Sequence, residues 1–124
     1  MPQTILVVDD DASLRRLYER ALGNQGYALT LASGTGEARA LMERNSYDLL
    51  ITDLELGDGL GTELIQIAIA AAGSKTKVIL VTGSLGEQDL RHIAEKYRLP
   101  GYFAKPFRID AFMKAVKEAL LRPD

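Results

Sequence analysis

The sequence has no cysteine, so disulfides, zinc–thiolate sites and thiol catalysis are all excluded. It has no excess of positive charge either, because 15 basic and 17 acidic residues give a formal charge of −2, which argues against a nucleic-acid-binding surface. The longest apolar stretch, residues 64–72, is interrupted by Gln66 and falls far short of a membrane span. The apolar run 5–8 is too short for a signal peptide and follows no basic segment. We therefore expect a soluble, cytoplasmic protein without direct contact to nucleic acid or membrane.

The length of 124 residues is typical of one domain. A domain of this size buries roughly two-thirds of its unfolded surface, which is enough for an ordinary core. No repeat, linker or low-complexity tract interrupts the chain. We therefore predict a single domain over residues 1–124.

Short apolar runs alternate with apolar stripes at helical spacing along the whole chain. The runs predict strands at 5–8, 28–31, 49–51, 78–81 and 102–104, the second being weaker and placed at an edge. The stripes predict helices at about 14–22, 37–45, 60–72, 90–97 and 109–120, the third ended by Gly73 and the fourth before Pro100. Strict alternation of five strands with five helices implies a parallel α/β sheet covered by helices on both faces.

Polar residues follow the predicted strands where each strand ends. Asp9 and Asp10 follow the first strand, Asp53 the third, Thr82 the fourth and Lys105 the fifth. In open α/β sheets the carboxyl ends of the strands form the rim where ligands bind. If the first and third strands are neighbours, the three carboxylates converge there.

Converging carboxylates need a compensating charge. Two of them about 4 Å apart repel by roughly 4 kcal/mol at an effective dielectric near 20. All-oxygen ligands without histidine or cysteine favour a hard cation, and magnesium (Mg2+) accepts one or two carboxylates while keeping waters that a phosphate can replace. Lys105 and the Thr82 hydroxyl complete a set that suits phosphoryl transfer. A strand-end aspartate such as Asp53 can itself be the nucleophile and form an aspartyl phosphate.

These residues carry a resemblance to a known family. The matching segments are 7–11 (VVDDD), Asp53 at a strand end, 81–83 (VTG) and 101–107 (GYFAKPF). In this order and at these strand ends, the sequence resembles the receiver domain of two-component response regulators over essentially its whole length. The resemblance implies a flavodoxin-like, doubly wound five-stranded sheet of order 2-1-3-4-5 with five flanking helices.

The resemblance also implies a metal site and its ligands. Asp53 is then the phosphoacceptor, and Asp10 and Asp53 bind magnesium directly. The backbone carbonyl of Glu55 is a third protein ligand, and Asp9 acts through a bound water. Lys105 contacts the phosphoryl group, and its peptide bond to Pro106 is cis.

The resemblance further implies a switch and its partners. Thr82 turns inward to bond the phosphoryl group, and Tyr102 changes rotamer, altering the surface of the fourth helix, fifth strand and fifth helix. The donor is a phosphohistidine on a sensor histidine kinase or a histidine phosphotransfer protein. The domain is not an enzyme on other substrates, since it catalyses only its own phosphorylation and dephosphorylation. The downstream partner is unspecified, a phosphorylation-dependent dimer is possible, and the chain is either a stand-alone receiver or part of a larger regulator or hybrid kinase.

The loop after Asp53 departs from the family pattern. Gly57 stands where the family commonly has proline, and with Gly59 and Gly61 it predicts a loop that is costly to order and therefore mobile. Glu55 and Ser84 lie two residues after Asp53 and Thr82, at positions that in the family tune phosphoryl lifetime and partner choice.

Three other functions fit parts of the sequence. A constitutive interaction module without phosphorylation shares the architecture, although every expected acid and Lys105 are present. A phosphatase with an aspartyl nucleophile commonly has a second aspartate two residues on, where Glu55 stands here. A flavodoxin-like flavin binder needs a hydroxyl-rich phosphate loop after the first strand, where Asp9 and Asp10 would repel phosphate. Histidine is represented only by His92, for which a surface position is expected.

Overall fold

The computed structural model describes residues 2–70 and 75–121. Strands and helices alternate through this part of the chain, as predicted. In chain order they are β1 Thr4–Val8, α1 Ala12–Gly23, β2 Ala28–Ala32, α2 Thr35–Arg44, β3 Leu49–Thr52, α3 Gly61–Ala70, β4 Lys77–Thr82, α4 Glu87–Tyr97, β5 Gly101–Ala104 and α5 Ile109–Leu121. The predicted end of the third helix, at residues 72–73, lies outside the described residues.

The strands form one parallel sheet in the order β2-β1-β3-β4-β5. The chain winds outward from β1 to β2 and then crosses to β3 on the other side of β1. This is the flavodoxin-like, doubly wound topology, and the predicted fold class is confirmed. The direction of winding changes between β1 and β3, and this is where such sheets open a crevice at their carboxyl ends.

Both faces of the sheet are buried, which explains why its central strands are apolar at all but their end positions. In β1, Leu6 packs into the layer that contains α2, α3 and α4, whereas Ile5 packs into the layer that contains α1 and α5. Both side chains are fully buried. The edge strand β2 is more exposed, in agreement with its weaker pattern.

The start of α1 and the end of α4 are both closed by residues just outside the helix. Asp11 caps α1, its carboxylate accepting hydrogen bonds from the amides of Ser13 at 2.8 Å and Leu14 at 3.3 Å. Helix α4 ends at Tyr97, and Arg98 closes it in the left-handed conformation with a φ of 54°. None of the helices within 2–70 and 75–121 is long and apolar enough to cross a membrane.

Candidate functional site

The ends of β1 and β3 place two aspartates side by side. Val8 pairs with Thr52 in the sheet, and the amide of Asp53 donates to the carbonyl of Val8 at 3.1 Å. Asp9 and Asp53 are therefore the first residues after two strand ends that lie side by side in the sheet. They are almost fully buried, with exposed fractions of 1% and 8%. Their carboxylate oxygens lie within 4.8 Å of each other, which confirms the predicted convergence.

Lys105 reaches the same point from β5. Its amide donates to the Thr82 carbonyl at 2.9 Å, which extends the pairing of β5 with β4 by one residue. The ammonium group then donates to Asp53 Oδ2 at 2.6 Å and to Asp9 Oδ2 at 2.9 Å. The peptide bond to Pro106 is cis, as the resemblance implies. One positively charged group thus contacts two buried carboxylates.

The balance of charge shifts the pKa of two of these groups. Burial raises the pKa of Asp9, although the amide of Asp11 and the ammonium of Lys105 oppose the shift. Burial alone lowers the pKa of Lys105, but hydrogen bonds to Asp53 and Asp9 outweigh it and raise the pKa above its ordinary value. Lys105 is therefore charged at neutral pH. Ionising Asp9 in the folded protein costs free energy, which the Asp11 amide and the Lys105 ammonium offset only in part.

The acidic cluster has a donor set that fits a hard cation. Carboxylate oxygens of Asp9, Asp10 and Asp53 all lie within 4.8 Å of one another, and Asp10 is exposed where the other two are buried. Such a group of oxygens, open to water on one side, is the kind of site that magnesium occupies while keeping several waters. The predicted ligands are therefore brought together, apart from Glu55, whose carbonyl stays a prediction.

Thr82 and Tyr102, the predicted switch residues, lie on the adjacent strands β4 and β5. Thr82 is fully buried at the end of β4, and its hydroxyl is 3.0 Å from the hydroxyl of Ser84 and accepts from the Ser84 amide at 3.3 Å. Tyr102 is partly buried in β5, opposite Leu80 in β4, and packs into the layer beneath α4. The inward turn of Thr82 and the rotamer change of Tyr102 stay predictions. His92 is exposed, as expected.

The loop after Asp53 contains contacts that the sequence did not reveal. The Asp58 carboxylate accepts hydrogen bonds from the amides of Thr35 at 2.8 Å and Gly36 at 3.1 Å, at the start of α2. Gly57 has a φ of 71°, a conformation that proline cannot adopt. The N-cap residue of α2, Gly34, has no side chain to accept these hydrogen bonds, so the capping group comes from another loop.

Two residues of α1 also approach the site without having been predicted to do so. Arg15 donates from Nη1 to the Asp9 carbonyl at 2.7 Å. Tyr18 is buried beneath the turn that follows Lys105, and its ring stacks on Phe107 with centroids 6.1 Å apart. Burial and the carboxylates of Asp9 and Asp53 raise the pKa of the Tyr18 phenol.

Fold and site together define a doubly wound α/β domain with an acidic, lysine-bridged pocket at the carboxyl edge of its sheet. The family model of the response regulator receiver domain matches residues 5–117. The chain therefore belongs to the response regulator receiver domain family.

Individual relatives agree with this assignment. The response regulator protein PilR of Pseudomonas aeruginosa is 33% identical over 118 residues, which are 95% of this chain and 26% of that protein. The chain thus spans about a quarter of the length of that relative. The solved structure of the non-phosphorylated HemR receiver domain from Leptospira biflexa superimposes with a TM-score of 0.85 at 26% identity, covering 98% of each chain.

A further similar structure contains a phosphorylated aspartic acid. It is a response regulator protein from Burkholderia pseudomallei with a phosphorylated aspartic acid, a calcium ion and citrate. It matches with a TM-score of 0.76 at 26% identity, covering 98% of this chain and 75% of that one.

Proposed function

We propose that this domain is a phosphorylation switch in a two-component relay, with Asp53 as the acceptor and magnesium as the required cation. The observation that carries the proposal is the contact of Lys105 with both Asp53 and Asp9, beside the carboxylate of Asp10. A buried aspartate held by a lysine next to a cation site has the groups that phosphoryl transfer to a carboxylate requires. The phosphorylated aspartic acid in the Burkholderia structure supports phosphorylation on an aspartate in this fold.

The chemistry is a displacement at phosphorus. A carboxylate oxygen of Asp53 forms a bond to phosphorus while the bond from phosphorus to the donor's imidazole nitrogen breaks. The imidazole leaves with that electron pair. The Leu54 amide, 2.6 Å from Asp53 Oδ1, and the ammonium of Lys105 fix the orientation of the carboxylate beforehand. Magnesium, when bound by Asp10 and Asp53 with Asp9 behind a water, would supply positive charge for the phosphoryl oxygens.

The donor must approach from the open side of this pocket. A groove of about 440 Å³ adjoins Lys105 there. Its apolar lining comes from Leu14 and Leu17 on α1 and from Pro106 and Phe107 after β5. We infer that this groove receives the apolar surface around the phosphohistidine of a histidine kinase or phosphotransfer protein, because its lining includes Lys105, which contacts Asp53. The output is a changed surface formed by α4, β5 and α5, which a downstream domain or protein recognises.

The proposal is tested by the intact mass of the protein after incubation with acetyl phosphate and magnesium. We expect one added phosphoryl group, lost when a chelator replaces magnesium and absent from Asp53→Asn. Asp110→Asn serves as the matched control, because Asp110 is an exposed acid paired with Arg108. A parent that stays unmodified, and that also takes up no beryllium fluoride, would instead favour a constitutive interaction module.

A further inference from the structure

Helix α2 begins without a cap of its own. Its N-cap residue, Gly34, is in extended conformation and has no side chain to accept a hydrogen bond. Asp58 takes that place from the loop between β3 and α3, accepting from Thr35 at 2.8 Å and Gly36 at 3.1 Å. These two amides hold the pKa of Asp58 below its usual value. The capping group of α2 thus comes from Asp58, which lies 23 positions after Thr35 in the sequence.

The contact between the loop and α2 is close on both sides. A Cβ atom at Gly34 would lie 2.7 Å from Asp58 Oδ1, so the carboxylate occupies the space of a side chain there. A Cβ atom at Gly59 would lie 2.8 Å from the hydroxyl oxygen of Thr35. Thr35 also donates through that hydroxyl to the Asp58 carbonyl at 3.4 Å. Glycine at both positions allows the loop to sit directly on the start of the helix.

The same loop is closed at its base and touches the acidic cluster at its tip. The amide of Gly61 donates to the Leu54 carbonyl at 2.6 Å, which draws the two ends of the loop together. Beside Asp58, Gly57 adopts a φ of 71°, and a Cβ atom there would be 3.6 Å from Asp10 Oδ2. The residue that holds α2 is therefore next to the residue that approaches a metal-binding carboxylate.

We propose that Asp58 is a positioning residue for the magnesium site, holding loop 54–60 against α2 in the conformation that receives the cation. The inference rests on the proposed function, because it concerns the same cation. The hydrogen bonds of Asp58 with the amides of Thr35 and Gly36 are called the tether below. Without this tether, the glycines of the loop must be ordered when magnesium binds, and ordering one residue costs roughly 1–2 kcal/mol. We expect the affinity for magnesium to fall roughly five- to thirtyfold, which is what a loss of this size corresponds to.

The decisive comparison separates the tether from simple helix capping. Asp58→Ala removes the tether and the cap of α2 together. Adding Gly34→Ser to this variant gives α2 a new cap, in the space that the carboxylate leaves, without restoring the tether. Magnesium affinity is measured by calorimetry, without any phosphodonor, and stability by urea unfolding. We expect Asp58→Ala to lose both affinity and stability, and the double variant to regain stability alone. If the double variant also regains the affinity, Asp58 only caps the helix and the proposal is overturned.

A second variant separates the tether from charge. Asp58→Asn keeps one side-chain oxygen, which can accept from the amide of Thr35, but it replaces the acceptor of the Gly36 amide with an NH2 group and removes the negative charge. We expect its affinity for magnesium to lie between those of the parent and of Asp58→Ala, because one of the two hydrogen bonds to α2 remains. An affinity as low as that of Asp58→Ala would show that Asp58 acts by charge and would overturn the proposal. A parent that binds no magnesium would contradict the proposed function itself, whereas a parent that binds magnesium and an Asp58→Ala variant of equal affinity contradict only the tether.

Discussion

Lys105 donates a hydrogen bond of 2.6 Å to Asp53, joining the ends of β5 and β3 across the intervening strand β4. The contact brings together residues 52 positions apart in the sequence. The lysine is partly exposed, while the carboxylates that it contacts are buried. Lys105 therefore supplies part of the counter-charge of these carboxylates in the absence of a metal ion, and under the proposed function magnesium would act on the same groups.

The shared role of lysine and cation can be tested with Lys105→Met. In the presence of chelator this variant leaves Asp53 and Asp9 without their counter-charge, and we expect a loss of about 1–2 kcal/mol in the free energy of unfolding. Magnesium should stabilise the variant more than the parent, because it then supplies the missing positive charge. Urea unfolding with and without magnesium measures both effects. Lys117→Met, at an exposed position of α5, is the control, and equal stabilisation of parent and Lys105→Met by magnesium would contradict the account.

The raised pKa of Asp9 predicts a pH dependence of stability in metal-free buffer. A carboxyl group whose pKa is higher in the folded than in the unfolded state contributes stability that is fully present below its unfolded value of about 3.8. This stability is lost as the pH rises through the folded value. We therefore expect Asp9→Asn to unfold at a higher temperature than the parent at neutral pH, with the difference shrinking as the pH falls.

Asp110 is the control of opposite sign. The hydrogen bond from Arg108 lowers the pKa of Asp110, so its contribution is present at neutral pH and is lost as the pH falls. Asp110→Asn should gain nothing at neutral pH. A parent that is more stable than Asp9→Asn at neutral pH without metal would contradict the assignment of Asp9.

Tyr18 carries a buried polar atom that can be removed. Its hydroxyl is fully buried and has no hydrogen-bond partner within the described ranges 2–70 and 75–121. Because an unsatisfied buried hydroxyl costs about 1–3 kcal/mol, we expect Tyr18→Phe to raise the free energy of unfolding by about 1 kcal/mol. The ring contacts with Phe107 and Phe112 should persist. Tyr27→Phe, at a partly buried position outside this cluster of rings, is the control, and a loss of stability in Tyr18→Phe would show that the hydroxyl forms a bond in solution.

The sequence predicted those parts of the molecule that depend on local pattern. Apolar runs and helical stripes identified the strands and helices of the described residues to within a few residues. This follows because the central strands are buried on both faces, and each helix buries one face against the sheet. The site followed from the same reasoning, since residues that end parallel strands must meet at one edge. Asp9, Asp53 and Lys105 meet there because β1, β3 and β5 all run in one direction.

Contacts between distant loops lay beyond such reasoning. Nothing in the sequence indicates that Asp58 caps α2, the helix that begins after Gly34. The contact depends on how the loop after β3 folds over the start of that helix. The glycines of this loop predicted mobility, yet Gly57 is required for a left-handed turn and Asp58 fixes the tip to α2. Mobility of the loop stays a prediction. The unpaired hydroxyl of Tyr18 likewise depends on residues of β5 and α5 that surround it.

The central claim is that Asp53 receives the phosphoryl group, and the most direct measurement locates the modification. The protein is treated with acetyl phosphate and magnesium, and the acyl phosphate is then reduced with borohydride, which converts a phosphorylated aspartate to homoserine. Peptide mass mapping should place this conversion at Asp53 alone. Conversion at Asp9 or Asp10 with Asp53 unchanged, or conversion that persists in Asp53→Asn, would contradict the account.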